Sequence, residues 1–420
     1  MGSFLTSIAY RAIGAAAAPL ALFWPTLKGR FGTRWADRLG FPLAGGQKPL
    51  WLHAASVGEA QSALTSVRAM LDNVLSSRFV LSVGTPAGLA RAQSLASQIK
   101  GLQVMAPPLD VWGAPGRALD RVGPRALAIV ETELWPELIR QAQKRGLPVM
   151  VLAGRMSQRS FNRYWRVRSL FQPLLAKMTL LAVIGDSDRR RYLDLGAREE
   201  ATLVIGNPKF DSLIEVAKLA QKKTERPLGR QIVVAGSTED REELLIVQSW
   251  LTQAEKPHLI LAPRHLGRLT QITSFLSEMP LSFRLLSARP DFDWPTEPDV
   301  VVVDAYGALA KLYALADLAI VGGGFYAGQG HNPLEPAAFG VPILFGPHMS
   351  SFEGDCQELV AAGAARRATP SELPGALAEW LTQGSSALAG LAGRELLARR
   401  APVGPRLAAL VGRALSVPLP

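Results

Sequence analysis

The stretch LHAASVGEAQSA, Leu52 to Ala63, begins as an apolar strand and ends as a helix, with Glu59 at the changeover just after a Ser-Val-Gly turn. Acidic residues in a first helical turn offset the helix dipole and satisfy free backbone N–H groups, for roughly 0.3–1 kcal/mol. That reading makes Glu59 a cap. A second reading makes it a carboxylate set at a strand end for chemistry, and other parts of the chain bear on the choice.

Outward from this stretch, short apolar runs alternate with helical patterns. LWLHAA, RFVLSVG, LQVMAP, ALAIVET, PVMVLAG and LLAVIG read as strands buried on both faces, the pattern of a parallel, doubly wound α/β sheet. The pattern runs out near VIGNPKFD, and the polar segment 218–230, which contains KKTERPLGR, reads as a linker. A second series follows with QIVVAGST, HLILAPR, FRLLSA, DVVVVDA, LAIVGGG and PILFGP. The expected organisation is an attachment segment over 1–40, one Rossmann-like domain over 41–217, the linker, and a second such domain over 231–420 whose last helix can return to the first. Two such domains are expected to face a ligand cleft at the carboxyl ends of their strands.

With 420 residues, an apolar fraction of 48% and 19% charged residues, the chain is a globular protein large enough for two cores. Its single cysteine, Cys356, excludes an internal disulfide framework and a Cys-rich metal site, and fits a reducing compartment. The net charge of +11 draws anions of any kind. No zinc finger, RNA-binding aromatic signature or Lys-rich tail is present, which argues against nucleic acid as the partner.

Phe4 to Trp24 is almost wholly apolar and is followed by Lys28, Arg30, Arg34 and Arg38 mixed with Phe31 and Trp35. This reads as a membrane attachment with its basic cluster against cytoplasmic headgroups. Arg11 and Pro19 interrupt the run, so an interfacial helix and a short span both fit. A cleaved signal peptide is the competing reading, suggested by the alanines at 15–18 but lacking an early positive charge.

Candidate chemistry gathers at strand ends. In GGGFYAGQGHNPLEPAAFG, Gly322 to Gly340, a glycine loop precedes His331 and Asn332, and Pro333 is expected to open a helix carrying Glu335, within reach of a ribose diol. GSTEDREE and APRHLGR place Gly236, Ser237, Arg264 and His265 at the ends of the first two strands of the same domain, Arg264 suiting a phosphate and Thr238 suiting a helix cap. In VETELWPEL, Glu131 and Glu133 join Glu59 at one sheet edge, where neighbouring carboxylates raise one another's proton affinity and suit general-base work. Arg155, Arg159, Arg163 and Arg166 recur at helical spacing beside Tyr164 and Trp165, a wet face or a grip on lipid phosphates. Two Asp-x-Asp pairs, Asp186 with Asp188 and Asp291 with Asp293, read more simply as a cap and a loop than as metal ligands.

Together, HAASVGEA, ETELWP, GRMSQRS, GNPKFD, GSTEDREE, APRH and GHNPLEPAAFGVPILFGPH closely resemble, in order, the landmarks of the 3-deoxy-D-manno-octulosonic acid (Kdo) transferases. The resemblance implies a GT-B glycosyltransferase of two Rossmann-like domains. It implies inverting transfer of Kdo from CMP-Kdo to a lipid A precursor, without cofactor or bound metal, at the cytoplasmic side of the cell inner membrane. It makes Glu59 the catalytic base. Gly236, Ser237, Arg264, His265, Gly330, His331, Asn332 and Glu335 become the donor-site residues, and Glu133, Arg155, Arg159 and Arg163 the acceptor-site residues. The chain departs from the family at Gln329-Gly330, where Gly-Gly is usual, at Ala153 for Asn, at GAL (Gly307 to Leu309) for Gly-Glu-Leu, at STE for Ser-Thr-His and at TPAGL for Thr-Gly-Ser. The alternatives are a related transferase with another CMP-sugar or acceptor, and a catalytically silent membrane protein that binds anionic lipid.

Overall fold

A computed structural model describes residues 10, 34–46, 48–72, 78–97, 99–111, 113–208, 211, 213, 230–288, 299–382, 385–400 and 402–416. The chain divides into two compact units, Met1–Asp211 with Pro402–Pro420, and Ser212–Ala401.

The first unit holds a sheet of β1 (Leu50–Ala54), β2 (Phe79–Val83), β3 (Leu102–Met105), β4 (Ala126–Val130), β5 (Val149–Gly154), β6 (Leu180–Val183) and β7 (Thr202–Val204). All pairings are parallel, in the order β3-β2-β1-β4-β5-β6-β7, with Leu50 opposite Phe79 on one side and Ala126 on the other. The chain therefore starts at the centre, builds to one edge and returns to build the other. Side chains alternate across the sheet, so Leu50, Leu52 and Ala54 join one apolar cluster while Trp51 joins the other. Burial on both faces is why these strands read as unbroken apolar runs.

The helix Val403–Ser416 belongs to this first unit, although it ends the chain. Its Val403, Leu407, Ala408 and Val411 enter the same cluster as Ala60, Ala63, Leu64 and Val67 of the helix Val57–Asp72. The Asp211 carboxylate caps its start by accepting from the Val403 and Gly404 amides. Gly404 allows the close approach, because a Cβ there would lie 2.9 Å from the Ala69 Cβ.

The second unit repeats the plan with β8 (Ile232–Thr238), β9 (His258–Pro263), β10 (Phe283–Leu285), β11 (Val300–Val302), β12 (Leu318–Val321), β13 (Ile343–Phe345) and β14 (Ala365–Arg367). Its order is β10-β11-β9-β8-β12-β13-β14, again parallel. In each unit the strand order reverses beside the first strand, at β1/β4 and at β8/β12. Loops on either side of such a switch point diverge and leave a crevice at the carboxyl ends.

Strands β7 and β14 escape the apolar-run criterion. Each is a three-residue edge strand whose side chains are only partly buried, and β14 carries Arg366 and Arg367. The 218–230 linker falls outside the described residues except for Arg230, and the 1–40 attachment segment outside them except for Tyr10 and 34–40. No described helix is long and apolar enough to cross a membrane. Arg34 and Arg38 do not form the exposed basic cluster expected of them. Arg34 pairs with Asp37 at 2.8 Å and donates to the Val104 carbonyl, while Arg38, 1% exposed, donates to the Gly84 carbonyl at 2.9 Å. Burial pulls the Arg38 guanidinium down to about 10. These arginines tie chain to chain beneath the sheet edge, a use that charge spacing alone does not reveal.

Leu407→Ala should cost the first unit about 2–5 kcal/mol, because the deleted side chain is fully buried between the terminal helix and the Val57–Asp72 helix. Chemical denaturation followed by tryptophan fluorescence measures it; a loss below about 1 kcal/mol would mean that the terminal helix is only loosely attached.

Candidate active site

In the first unit, Glu59 stands in the first turn of the helix after β1 and is only 9% exposed. Its amide donates to the Ser56 hydroxyl at 3.3 Å, and its carboxylate accepts from the Ala55 amide. This is a reciprocal cap of the capping-box kind. Within this unit Glu59 therefore turns back on its own turn, where the Ala55 amide is its donor.

One helical turn on, the Ser62 hydroxyl donates to Glu131 at the end of β4, closing the β1/β4 switch point. Glu131 has φ +60°, a left-handed conformation costly for a side-chain-bearing residue. Its carbonyl is held by the Tyr192 hydroxyl and the Arg155 amide, both at 3.3 Å. Tyr164 joins the group: its hydroxyl donates to the Thr132 carbonyl at 3.1 Å and accepts from the Leu134 amide at 3.3 Å. Burial pushes the Tyr164 phenol up, and the charges of Glu133 and Glu59 push the same way against Arg163. Glu59, Glu131, Glu133, Tyr164 and Arg163 therefore share one neighbourhood. Exposed Glu133 accepts from the Trp135 indole at 3.3 Å.

Arg159 and Arg163 are exposed on the helix Gln158–Arg166, but Arg155 precedes that helix. Ser157 is its N-cap, extended and accepting from the Ser160 amide, so the expected stripe loses its first member to the turn.

In the second unit, the β8 end is bent by a register shift at Ser237, whose φ is +55°. Gly236 has no room for a side chain, since a Cβ would fall 2.0 Å from the Tyr313 hydroxyl. Across the switch point, the buried Glu242 carboxylate collects three amides: Gly323 at 2.7 Å, Glu239 at 2.9 Å and Phe325 at 3.0 Å. Leaving one buried amide unpaired costs about 1–3 kcal/mol, so this carboxylate fixes the glycine loop against the β8 end. Glu239 accepts from His331 at 3.1 Å and lies 3.8 Å from His265. Gly330, His331 and Glu239 line one cavity of about 570 Å³.

Asn332, Glu335 and Arg264 form a neighbouring group. The Asn332 amide nitrogen donates to Glu335 at 3.3 Å. Burial pushes the Glu335 carboxyl up, against the opposing pull of Asn332 and the nearby Arg264 guanidinium. The helix at Glu335 spans only Leu334–Ala338; Pro333 is its cap, not its first residue, and the Leu334 amide is taken by the Asn332 side chain at 3.1 Å. An anion site resting on that helix start is correspondingly reduced.

Thr238 does not cap a helix. Its buried hydroxyl donates to Glu243 at 2.8 Å, and left-handed Arg241 occupies the cap of the helix Glu242–Leu251 instead. Asp188 is buried and accepts from the Met156 amide at 2.7 Å, whereas Asp291 and Asp293 lie outside the described residues. Among the described residues, no group of three or more His, Cys, Asp or Glu could hold a metal ion. Sequence reasoning missed Tyr192, Tyr313 and the bridging role of Glu242. The tyrosines come from distant segments and carry no local signal; for Glu242, a carboxylate in the first turn after a strand was the available sign.

Comparison with known proteins adds the family. The family described as 3-deoxy-D-manno-octulosonic-acid transferase (kdotransferase) matches residues 33–212. A bifunctional glycosyltransferase/methyltransferase of Fusobacterium nucleatum is 29% identical over 81% of this chain, which spans 54% of that protein's length. The 3-deoxy-D-manno-octulosonic acid transferase of Bordetella pertussis is 32% identical, over 83% of this chain and 81% of that protein. In fold, a glycosyltransferase from Rickettsia africae superposes with a TM-score of 0.57 at 10% identity, covering 88% of this chain and 98% of that one. The two parallel α/β sheets accordingly have structural neighbours among GT-B glycosyltransferases. By its likeness to the Bordetella protein along most of both lengths, the chain belongs to the 3-deoxy-D-manno-octulosonic acid transferase family, a family of glycosyltransferases.

Proposed function

We propose that this protein transfers Kdo from CMP-Kdo to a lipid A precursor in lipopolysaccharide biosynthesis, with inversion, with Glu59 as general base and without a metal ion. The observation that carries the reading is the carboxylate neighbourhood at the β1/β4 switch point in a member of this family. A base must be held in one orientation near the hydroxyl it deprotonates. The Ala55 amide supplies that orientation for Glu59. As the acceptor oxygen attacks the anomeric carbon of Kdo, its proton passes to Glu59 and CMP departs from the opposite face. The charge growing on the departing phosphate is met by Arg264 and Ser237. Asn332 and Glu335 suit the ribose, while Glu133, Arg159 and Arg163 suit the phosphorylated acceptor. A related transferase with another CMP-sugar or acceptor is the second reading; it is favoured by Ala308, an apolar residue packed at the edge of a core cluster where the family has a glutamate.

Incubation of the purified protein with CMP-Kdo and tetraacylated lipid A precursor tests the reading by product mass. Consumption of a different nucleotide sugar in place of CMP-Kdo would select the second reading. Glu59→Gln separates base from cap, because glutamine also serves a capping box. The variant should melt at an unchanged temperature and lose roughly 10²–10⁴-fold in turnover; full turnover with intact folding would leave Glu59 a cap alone.

We further propose that residues 1–33 attach the protein to the cytoplasmic face of the inner membrane, on the strength of the apolar run Phe4 to Trp24 with Lys28 and Arg30 behind it. Deleting residues 1–22 should shift the protein to the soluble fraction and reduce turnover on lipid presented in bilayers. Unchanged membrane partitioning would refute this.

A further inference from the structure

The carboxylate of Glu133 is exposed, yet buried groups fix where it stands. Its backbone neighbours on both sides are held by Tyr164, whose hydroxyl donates to the Thr132 carbonyl and accepts from the Leu134 amide. Its side chain accepts from the Trp135 indole through Oε2 at 3.3 Å, which leaves Oε1 without a partner and Glu133 without an ion pair among the described residues. Trp135 is fixed in turn. A residue before a proline is confined to extended backbone, and Trp135, ahead of Pro136, has φ −99° and ψ 101°. Its ring meets the His53 imidazole edge-to-face, with the centroids 4.3 Å apart.

His53 is the one polar residue of β1, and it is only 1% exposed. Burial, with the Arg38 charge acting the same way, pulls the imidazole down to about 3, so it stays neutral. Ser82, its partner across the β1/β2 ladder, lies 2.9 Å from Nδ1 and also accepts from the Trp51 indole at 2.9 Å. The other acceptor for the Ser82 hydroxyl, the Leu52 carbonyl, is 3.5 Å away, so its proton goes to Nδ1 and the imidazole proton sits on Nε2, a buried atom with no hydrogen-bond partner. An apolar side chain would leave no such group unpaired. What the imidazole adds is a ring locked by Ser82 for Trp135 to pack on. We propose that His53 and Trp135 are positioning residues that aim Glu133 at a non-reacting hydroxyl of the acceptor sugar, the indole keeping Oε2 and Oε1 accepting from that hydroxyl. This rests on the reading of Glu133 as an acceptor-site residue and deepens it. A carboxylate oriented before binding loses less freedom when it meets the hydroxyl, so releasing it weakens acceptor binding and not donor binding.

Steady-state kinetics of the full-length protein in detergent, with CMP-Kdo and tetraacylated lipid A precursor, tests this. Trp135→Phe keeps a ring against His53 and removes the indole N–H. It should raise KM for the precursor roughly threefold to tenfold and leave KM for CMP-Kdo within about twofold. In a Glu133→Ala background the same substitution should change kcat/KM no further, because the contact acts through that carboxylate. His53→Leu should raise the precursor KM in the same selective way. Equal changes in both KM values, or an effect that persists in Glu133→Ala, would mean a merely structural role and overturn the inference. The Trp135 indole N–H resonance, identified as the signal lost in Trp135→Phe, gives a readout that needs no turnover: it should shift in Glu133→Ala and in His53→Leu, and an unmoved signal overturns the arrangement even where a variant is too slow to assay. Product from the wild type with an unaltered precursor KM in Trp135→Phe overturns the positioning role and leaves the functional reading standing. No product from the wild type removes both.

Discussion

The second unit depends on one carboxylate. Glu242 sits where two loops part company at the β8/β12 switch point, and it takes amides from both: Glu239 on its own side, Gly323 and Phe325 on the other. A doubly wound sheet opens a crevice at its switch point for topological reasons, but the crevice has a definite shape only if the diverging loops are pinned. Steric limits reinforce the pin. A Cβ on Gly322 would come within 2.7 Å of the Glu242 carboxylate and 2.5 Å of the Ser237 carbonyl, so the glycine loop lies flat against the bent end of β8. The left-handed backbone of Ser237 and the pairing of Glu239 with His331 are held in place by this closure.

The first unit solves the same problem with a different pair. Ser62 reaches from the helix after β1 to Glu131 after β4, and Glu131 accepts a left-handed backbone to meet it. Ala153, at the register shift near the end of β5, is left-handed as well. Glu131, Ala153 and Ser237 thus put backbone strain at the carboxyl ends of strands in both units, where it is most often retained for function. In this setting the two readings of Glu59 are compatible. A carboxylate that caps its own helix is pre-oriented, and the capping bond uses a neutral amide donor that leaves its charge in place.

Most of the central sheet was legible because strands buried on both faces are dominated by apolar residues, as ALAIV is throughout and LWLHA is apart from buried His53. Edge strands β7 and β14 were not, since an edge needs neither length nor apolar side chains on both faces. The helix caps show the limit of local rules. Ser157 caps as its residue type suggests, but Thr238 is drawn away by Glu243, which also binds Arg268 through both oxygens. A side chain chooses between a local amide and a distant carboxylate by tertiary placement, which sequence spacing does not encode. Tyr192, whose hydroxyl reaches the Glu131 carbonyl from a distant segment, is invisible for the same reason.

Charge reads least directly of all. A net charge of +11 suggests a generally basic surface, yet several arginines work inside the fold. Arg38 holds the Gly84 carbonyl, Arg140 closes on buried Glu137 with two bonds, Arg191 reaches the Met156 carbonyl, and Arg268 locks Glu243. Guanidinium suits this use because its planar fork satisfies several acceptors at once and remains charged when partly buried. The arginines that stay outside therefore carry more meaning than the total. Arg159 and Arg163 are exposed on the helix Gln158–Arg166, without an acidic partner among the described residues, and Arg163 lies close enough to Tyr164 to influence its phenol. On the same helix Trp165 is exposed too, and the Arg168 guanidinium lies 4.6 Å from its ring centroid, so this face keeps its aromatic surface covered by cations that remain in water.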